Sequence, residues 1–193
     1  MGCGPLSSRT GEDAVSSGFR ARPGGEVSIR LDAGEVSVLR SLVSQILDLV
    51  QPGETGEDPL ERALGIGSLT GSTGAPADPV LARLFPSAYG DDEEASAEFR
   101  RYTEATLRDG KRADAETLLA TSMPGHIQLT AEQAQAWLRT LNDVRLALGI
   151  RLEVTEEAQM EIEKMGEDDP RYPAFVTYDW LTYLQDSLVR ALW

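Results

Sequence analysis

The sequence is poor in the residues that most often do covalent chemistry. Among 193 residues there is one cysteine, Cys3, and one histidine, His126. A lone cysteine cannot close an internal disulfide or build a multi-cysteine zinc site. A lone histidine needs a nucleophile beside it and an orienting acid behind it to act as a catalytic base. Neither Cys3 nor any serine is tied to His126 by a recognisable motif, and no Gly-x-Ser-x-Gly elbow occurs. A partly exposed position at a strand edge is the expected place for His126. Cys3 is a candidate redox thiol, but no basic residue nearer than Arg9 stands by to lower its pKa. No catalytic, cofactor-binding or metal-ligating set is expected.

Positive charge is scarce as well. Lys and Arg number 18 against 32 Asp and Glu, a formal net charge of −14. Such an excess opposes unaided association with nucleic acid or anionic membrane and favours a basic protein partner. Long apolar runs are absent: nothing approaches the roughly 20 residues needed to span a bilayer. Met1-Gly2-Cys3-Gly4-Pro5 lacks the apolar core of a secretory signal. The expected compartment is the cytoplasm, with no membrane partner.

What is present is helical patterning. The hydrophobic share of 41% is enough for a core, and the length suits one domain. Residues 1–17, small and polar, read as a disordered tail, and residues 18–193 as a single mostly helical domain. Val27, Ile29 and Leu31 alternate with polar residues, and Pro23-Gly24-Gly25 separates them from Phe19–Arg22, which predicts a β-hairpin. Asp32 and Glu35 have capping-box spacing ahead of Leu39, Leu42, Val43, Ile46, Leu47 and Val50. Pro52-Gly53 stops that helix, and a flexible Gly/Ser/Thr-rich loop is expected over 51–77, with one helical turn near Leu60–Leu64. Its glycines lack the leading strand and the lysine of a phosphate-binding loop.

Asp78-Pro79 starts a short helix. A long acidic-headed helical segment begins near Asp91, with Phe99, Tyr102, Thr106 and Leu107 on one face, and Gly110 is a place for it to bend or break. His126-Ile127-Gln128-Leu129 has the alternation of a third strand. Thr130 and Gln133 form a second capping box before Trp137, Leu138, Leu141, Val144 and Leu148, with Gly149 as the closing residue. Asn142, Asp143 and Arg145 are expected to brace neighbouring elements through buried hydrogen bonds. A short acidic helix is expected from Thr155. The last helix carries Val176, Trp180, Leu181, Leu184, Leu188, Val189 and Leu192, up to Trp193. The expected fold is therefore mainly α: a compact bundle of about five or six helices with a small N-terminal β-hairpin and room for a third short strand.

Two surfaces are candidates for contact. Arg100, Arg101, Arg108, Lys111 and Arg112 form the densest basic group, and with Gly110 between two helical halves they loosely suggest a helix-turn-helix. The second half begins Ala113-Asp114-Ala115-Glu116, whose carboxylates repel phosphate. Trp180, Leu184, Leu188 and Trp193 form a stripe that serves either self-association as a homodimer or the core of a monomer. The acidic runs Asp91–Glu94, Glu157 with Glu161, and Asp168-Asp169 read as solvated surface, since neither an EF-hand nor a His/Asp cluster accompanies them.

Four segments together resemble a known group. They are Asp78-Pro79-Val80-Leu81-Ala82-Arg83-Leu84-Phe85-Pro86, Ala97-Glu98-Phe99-Arg100-Arg101-Tyr102, Gln133-Ala134-Gln135-Ala136-Trp137-Leu138-Arg139-Thr140-Leu141-Asn142-Asp143, and Tyr178-Asp179-Trp180-Leu181-Thr182-Tyr183-Leu184-Gln185-Asp186. The chain resembles, from about Phe19 to Trp193, the actinobacterial AosR-like family, long catalogued as a domain of unknown function. The resemblance implies a non-enzymatic cytoplasmic regulator. Mycobacterial members are described as oxidative-stress regulators that sense through a closely spaced cysteine pair and act on transcription with a sigma factor. This chain departs from that pattern at the sensing step, because it has Cys3 and no second cysteine. The expected function is thus regulation through a protein partner such as a sigma factor. Direct DNA binding and an enzyme with an unrecognised site stand as alternatives.

Overall fold

The computed structural model describes residues 17–51, 76–89, 92–155, 165–166 and 168–193. Cys3, the turn near Leu60–Leu64, most of the Gly-rich 51–77 segment and most of the acidic helix after Thr155 lie outside the described residues.

Strand β1 (Arg20–Ala21) runs through a 3-10 turn at Pro23–Gly25 into β2 (Val27–Leu31), antiparallel, with Ala21 opposite Val27. Gly24 and Gly25 take φ of 83° and 79°, backbone that side chains with a Cβ rarely adopt. The third strand, β3 (Gly125–Leu129), pairs antiparallel with β2 and sets Ile29 opposite Ile127 and Val27 opposite Leu129. The sheet order is β1-β2-β3. One face of the sheet is apolar and must be covered, as three short strands are marginal alone.

Helices supply the cover. In α1 (Ala33–Val50) both halves of the expected capping box form: Asp32 Oδ1 accepts from Glu35 N–H at 2.8 Å, and Asp32 N–H donates to Glu35 Oε2 at 2.8 Å. Helix α2 (Pro79–Leu84) starts at Asp78, whose carboxylate accepts from Val80 and Leu81. Helix α3 (Glu93–Thr121) is capped by Asp92 and runs unbroken through Gly110. The expected interruption there does not occur, so the helix-turn-helix suggestion is corrected. Twenty-nine residues of continuous helix distribute the cost of one glycine, about 1 kcal/mol. Helix α4 (Ala131–Arg151) uses the second capping box, Thr130 with Gln133, and runs two residues past Gly149. Helix α5 (Tyr172–Leu192) closes the described set.

The central packing element is α4, which touches α1, α2, α3, α5 and β3. Trp137 is fully buried there, edge-on to Phe19 at 5.8 Å, and its indole N–H donates to Thr121 Oγ1 at 2.7 Å. On α5 the buried positions are Phe175, Leu181, Leu184, Ser187 and Leu188. Leu184 and Leu188 thus belong to the core, one of the two roles open to that stripe; Trp180 is half-buried and Trp193 stands 82% exposed. Among the described residues no helix is long and apolar enough to cross a membrane.

The start of β1 is stitched to α5. Gly18 N–H donates to Tyr183 OH at 3.0 Å, and Phe19 N–H donates to Ser187 Oγ at 3.0 Å, while Ser187 OH donates to the Leu184 carbonyl. The approach is close enough that a Cβ on Gly18 would sit 2.6 Å from Ser187 Cβ.

Candidate functional site

Four of the five basic residues singled out in the sequence are paired with carboxylates of the fold. Arg100 and Glu104 are buried residues of α3, and Glu104 takes two hydrogen bonds from Arg108, at 2.9 and 2.7 Å. Arg100 Nε lies 3.8 Å from the other oxygen of the same carboxylate. These three stand at i, i+4 and i+8, so one acid serves two guanidinium groups along one helix face. Arg108 also donates to the carbonyls of Val50 and Gln51, closing the C-terminal end of α1, and stacks at 4.6 Å over the Phe85 ring. The arrangement is reciprocal: Arg40, from α1, donates to the carbonyls of Leu119 and Ser122 at the end of α3. Helix ends present unsatisfied carbonyls, and a guanidinium satisfies them while opposing the helix dipole.

Lys111 donates to both carboxylate oxygens of Asp143 on α4, at 2.7 and 2.9 Å. Burial pushes the Asp143 carboxyl above its ordinary range, and the hydrogen bond and charge of Lys111 oppose that rise. Arg112 pairs loosely with Asp109 and Glu116, both at 3.9 Å. Arg101 is exposed and is the one member of the group without an ion-pair partner among the described residues. The five residues do not converge on one outward face. Phosphate contact requires exposed, uncompensated charge, and four of the five spend theirs on carboxylates within the fold.

His126 is exposed on the edge strand β3, opposite Arg30, with Arg22 Nη2 3.4 Å from Nε2. Its neighbours are cations rather than an acid, which is not the setting of a triad base. No group of three His, Cys, Asp or Glu side chains suited to a metal is found among the described residues. Asp92 serves as a helix cap, and Asp169 accepts from Arg171 side chain and backbone, which lowers its carboxyl below the usual range.

A concavity runs between α3 and α5, which both pack on α4 and leave its surface as the floor. Its volume is about 890 Å³, and it is open to solvent. Leu107 and Gly110 of α3 form one wall, Leu138 and Asn142 lie on the floor, and Val189 with Trp193 makes the other wall. Charged groups in it are already matched: Lys111 with Asp143, and Arg139 with Asp114 through two hydrogen bonds of 2.6 and 2.7 Å. Asn142 accepts from Gln185 Nε2 at 3.3 Å, so that the bracing expected of Asn142 and Asp143 is present. A trough of this kind suits apolar side chains from another chain better than a polar reactant.

Sequence reasoning did not find the trough, because its walls come from residues 106–114 and 185–193, which nothing local links. Glu104 was legible: Arg100, Glu104 and Arg108 are spaced for helical ion pairing, a signal as strong as the capping boxes.

Comparison with known proteins places these features in a family. The family described as domain of unknown function (DUF2017) matches residues 16–192. The oxidative stress regulators AosR of Mycobacterium tuberculosis and Mycobacterium bovis are 33% identical over 215 aligned positions, covering 98% of this chain and 96% of theirs. A Mycobacterium leprae relative carrying the AosR name is 34% identical, with 98% and 97% covered. No solved structure matches.

Proposed function

The chain belongs to the DUF2017 family, and from that premise we propose that it is a non-enzymatic regulator in the oxidative-stress response, acting on transcription through a protein partner such as a sigma factor. The observation that carries this reading is the similarity, over nearly the whole chain, to proteins named oxidative stress regulators. Two physical features support it. The net charge of −14 favours a basic partner and fast, salt-sensitive encounter. The basic residues that would have to grip phosphates are instead engaged with Glu104, Asp143, Asp109 and Glu116, which weighs against direct DNA binding.

The redox input differs from a two-cysteine switch. With one cysteine in the chain, oxidation that uses a thiol must join Cys3 to another molecule or leave it as an adduct. The test is crosslinking and affinity capture from cells with and without peroxide, at low and high salt, for the intact protein and for Cys3→Ser. A sigma factor or RNA polymerase subunit recovered at low salt, with peroxide dependence lost in Cys3→Ser, is the expected result. Capture of no transcription component at either salt would remove the proposal. A DNA mobility shift abolished by Arg101→Ala would replace it with the nucleic-acid reading.

A further inference from the structure

The three-stranded sheet turns one face to the core and gathers arginines on the other. Val27, Ile29, Leu31, Ile127 and Leu129 are buried, and side chains alternate along a strand. The register therefore sets Arg20, Ser28 and Gln128 outward in one row and Arg30 with His126 in the next. Arg22, just after β1, reaches over this face. Its Nε donates to Ser28 Oγ at 2.9 Å, and its Nη2 lies 3.4 Å from His126 Nε2.

The arginines of α3 find their carboxylates inside the fold; these do not. Arg20, Arg22 and Arg30 are exposed and make no ion pair among the described residues, in a chain with 32 acidic residues. Of the acids nearest in sequence, Asp32 is committed to capping α1, and Glu26, exposed beside the turn, makes no ion pair either. Arg22 is held by neutral groups alone, a hydroxyl and an imidazole nitrogen that must accept, since a guanidinium has no lone pair to offer. Its rotamer freedom is already restricted while its charge and its remaining donors are unused. That is the preorganised half of a carboxylate clamp.

The size of the patch decides which anion it fits. Three strands at roughly 4.8 Å spacing make a face about 10 Å across. Duplex nucleic acid or an anionic membrane extends well beyond it and meets the repulsion of a chain whose net charge is −14. A short run of Asp and Glu covers the arginines and little else. We propose that the outer face of the sheet is a docking site for a short acidic segment of a partner protein, whose carboxylates pair with Arg20, Arg22 and Arg30. The site does not depend on the identity of the regulatory partner, nor on the acidic surface offered to it.

Nitrogen–proton correlation NMR of the full chain, titrated at low salt with an acetylated and amidated hexaglutamate peptide, tests it. Amide shifts should saturate and cluster at residues 20–31 and 125–129. Arg20→Gln with Arg30→Gln, both at exposed positions, should raise the dissociation constant on the order of fivefold or more, as expected for two exposed ion pairs. Arg22→Lys keeps the charge and loses the planar fork, and should also weaken binding. Arg101→Gln, an exposed arginine of α3, should leave it unchanged. Absence of shifts at millimolar peptide, shifts centred on α3, or equal weakening by Arg101→Gln would overturn the proposal. So would tighter binding of a DNA duplex or of anionic vesicles to the same face, in favour of those ligands.

Discussion

Along α1 the residues turned inward are Val36, Leu39, Val43, Ile46 and Val50, an unbroken apolar face. Along the first half of α3, whose second half lies against α1 through Arg108 and Arg40, they are Ser96, Arg100 and Glu104, and the apolar face resumes only at Ala115 and Leu118. Phe99, Tyr102 and Leu107, the large apolar residues of that half, point outward at 42%, 72% and 49% exposure. Two adjacent helices are thus held by different forces. One relies on area removed from water; the other on charges that must find each other because water has been taken away.

The comparison can be sharpened by substitution. Leu39→Ala should show the largest effect, a loss of about 3 kcal/mol in unfolding free energy by urea titration, from lost transfer energy plus a cavity. On the charged side, Asp143→Ala should cost about 2 kcal/mol by leaving Lys111 with its partner removed. Replacing both as Lys111→Met with Asp143→Leu should recover most of that loss, since desolvation offsets the attraction of a buried pair. A double variant as unstable as the single would mean the pair is worth far more than burial costs it.

That pair also carries a pH signature. The Asp143 carboxyl is raised above its ordinary value, with burial as the main cause, so the folded state holds this proton more tightly than the unfolded chain. Its contribution to stability is complete below the ordinary aspartate value of about 3.9 and is lost as pH rises through the raised folded value. The stability of wild type relative to Asp143→Asn should therefore fall with rising pH across that window. The smallest effect belongs to the outward residues: Phe99→Ser with Tyr102→Ser should change the unfolding free energy by no more than about 0.5 kcal/mol per site. A larger loss would mean that these rings are covered.

Periodicity read α1 correctly and α3 incorrectly, for the same physical reason. Apolar spacing locates the buried face only where burial is apolar, and in α3 the chain reverses that rule over about four turns. A similar slip occurs on α5, where Val176 was expected inside but Phe175 is buried and Val176 is half-exposed. The adjacent Pro173 and the N-terminal turn leave the stripe free to start at either residue. Features set by neighbours in sequence were legible: both capping boxes, the Pro-Gly-Gly turn, the third strand, and Asp78 as a cap. Features set by distant segments were not. The trough needs α3 and α5 to flank α4, and the cross-helix capping by Arg40 and Arg108 needs α1 and α3 to be neighbours. The ion pair of Lys111 with Asp143 likewise needs α3 and α4 to be neighbours.

The seam between Gly18-Phe19 and the Tyr183–Ser187 turn of α5 joins residues 165 and 168 positions apart, and β2 waits for β3, about a hundred residues downstream, to complete the sheet. During synthesis the ribosome releases the first strands long before the helix that latches them exists. The earliest-made segment must therefore remain without its native neighbours until nearly the entire described chain has emerged, which raises the loop-closure entropy of the final step and slows it. Ribosome-bound chains truncated before α5 should accordingly expose Phe19 and the apolar face of β2, a state that chaperones recognise.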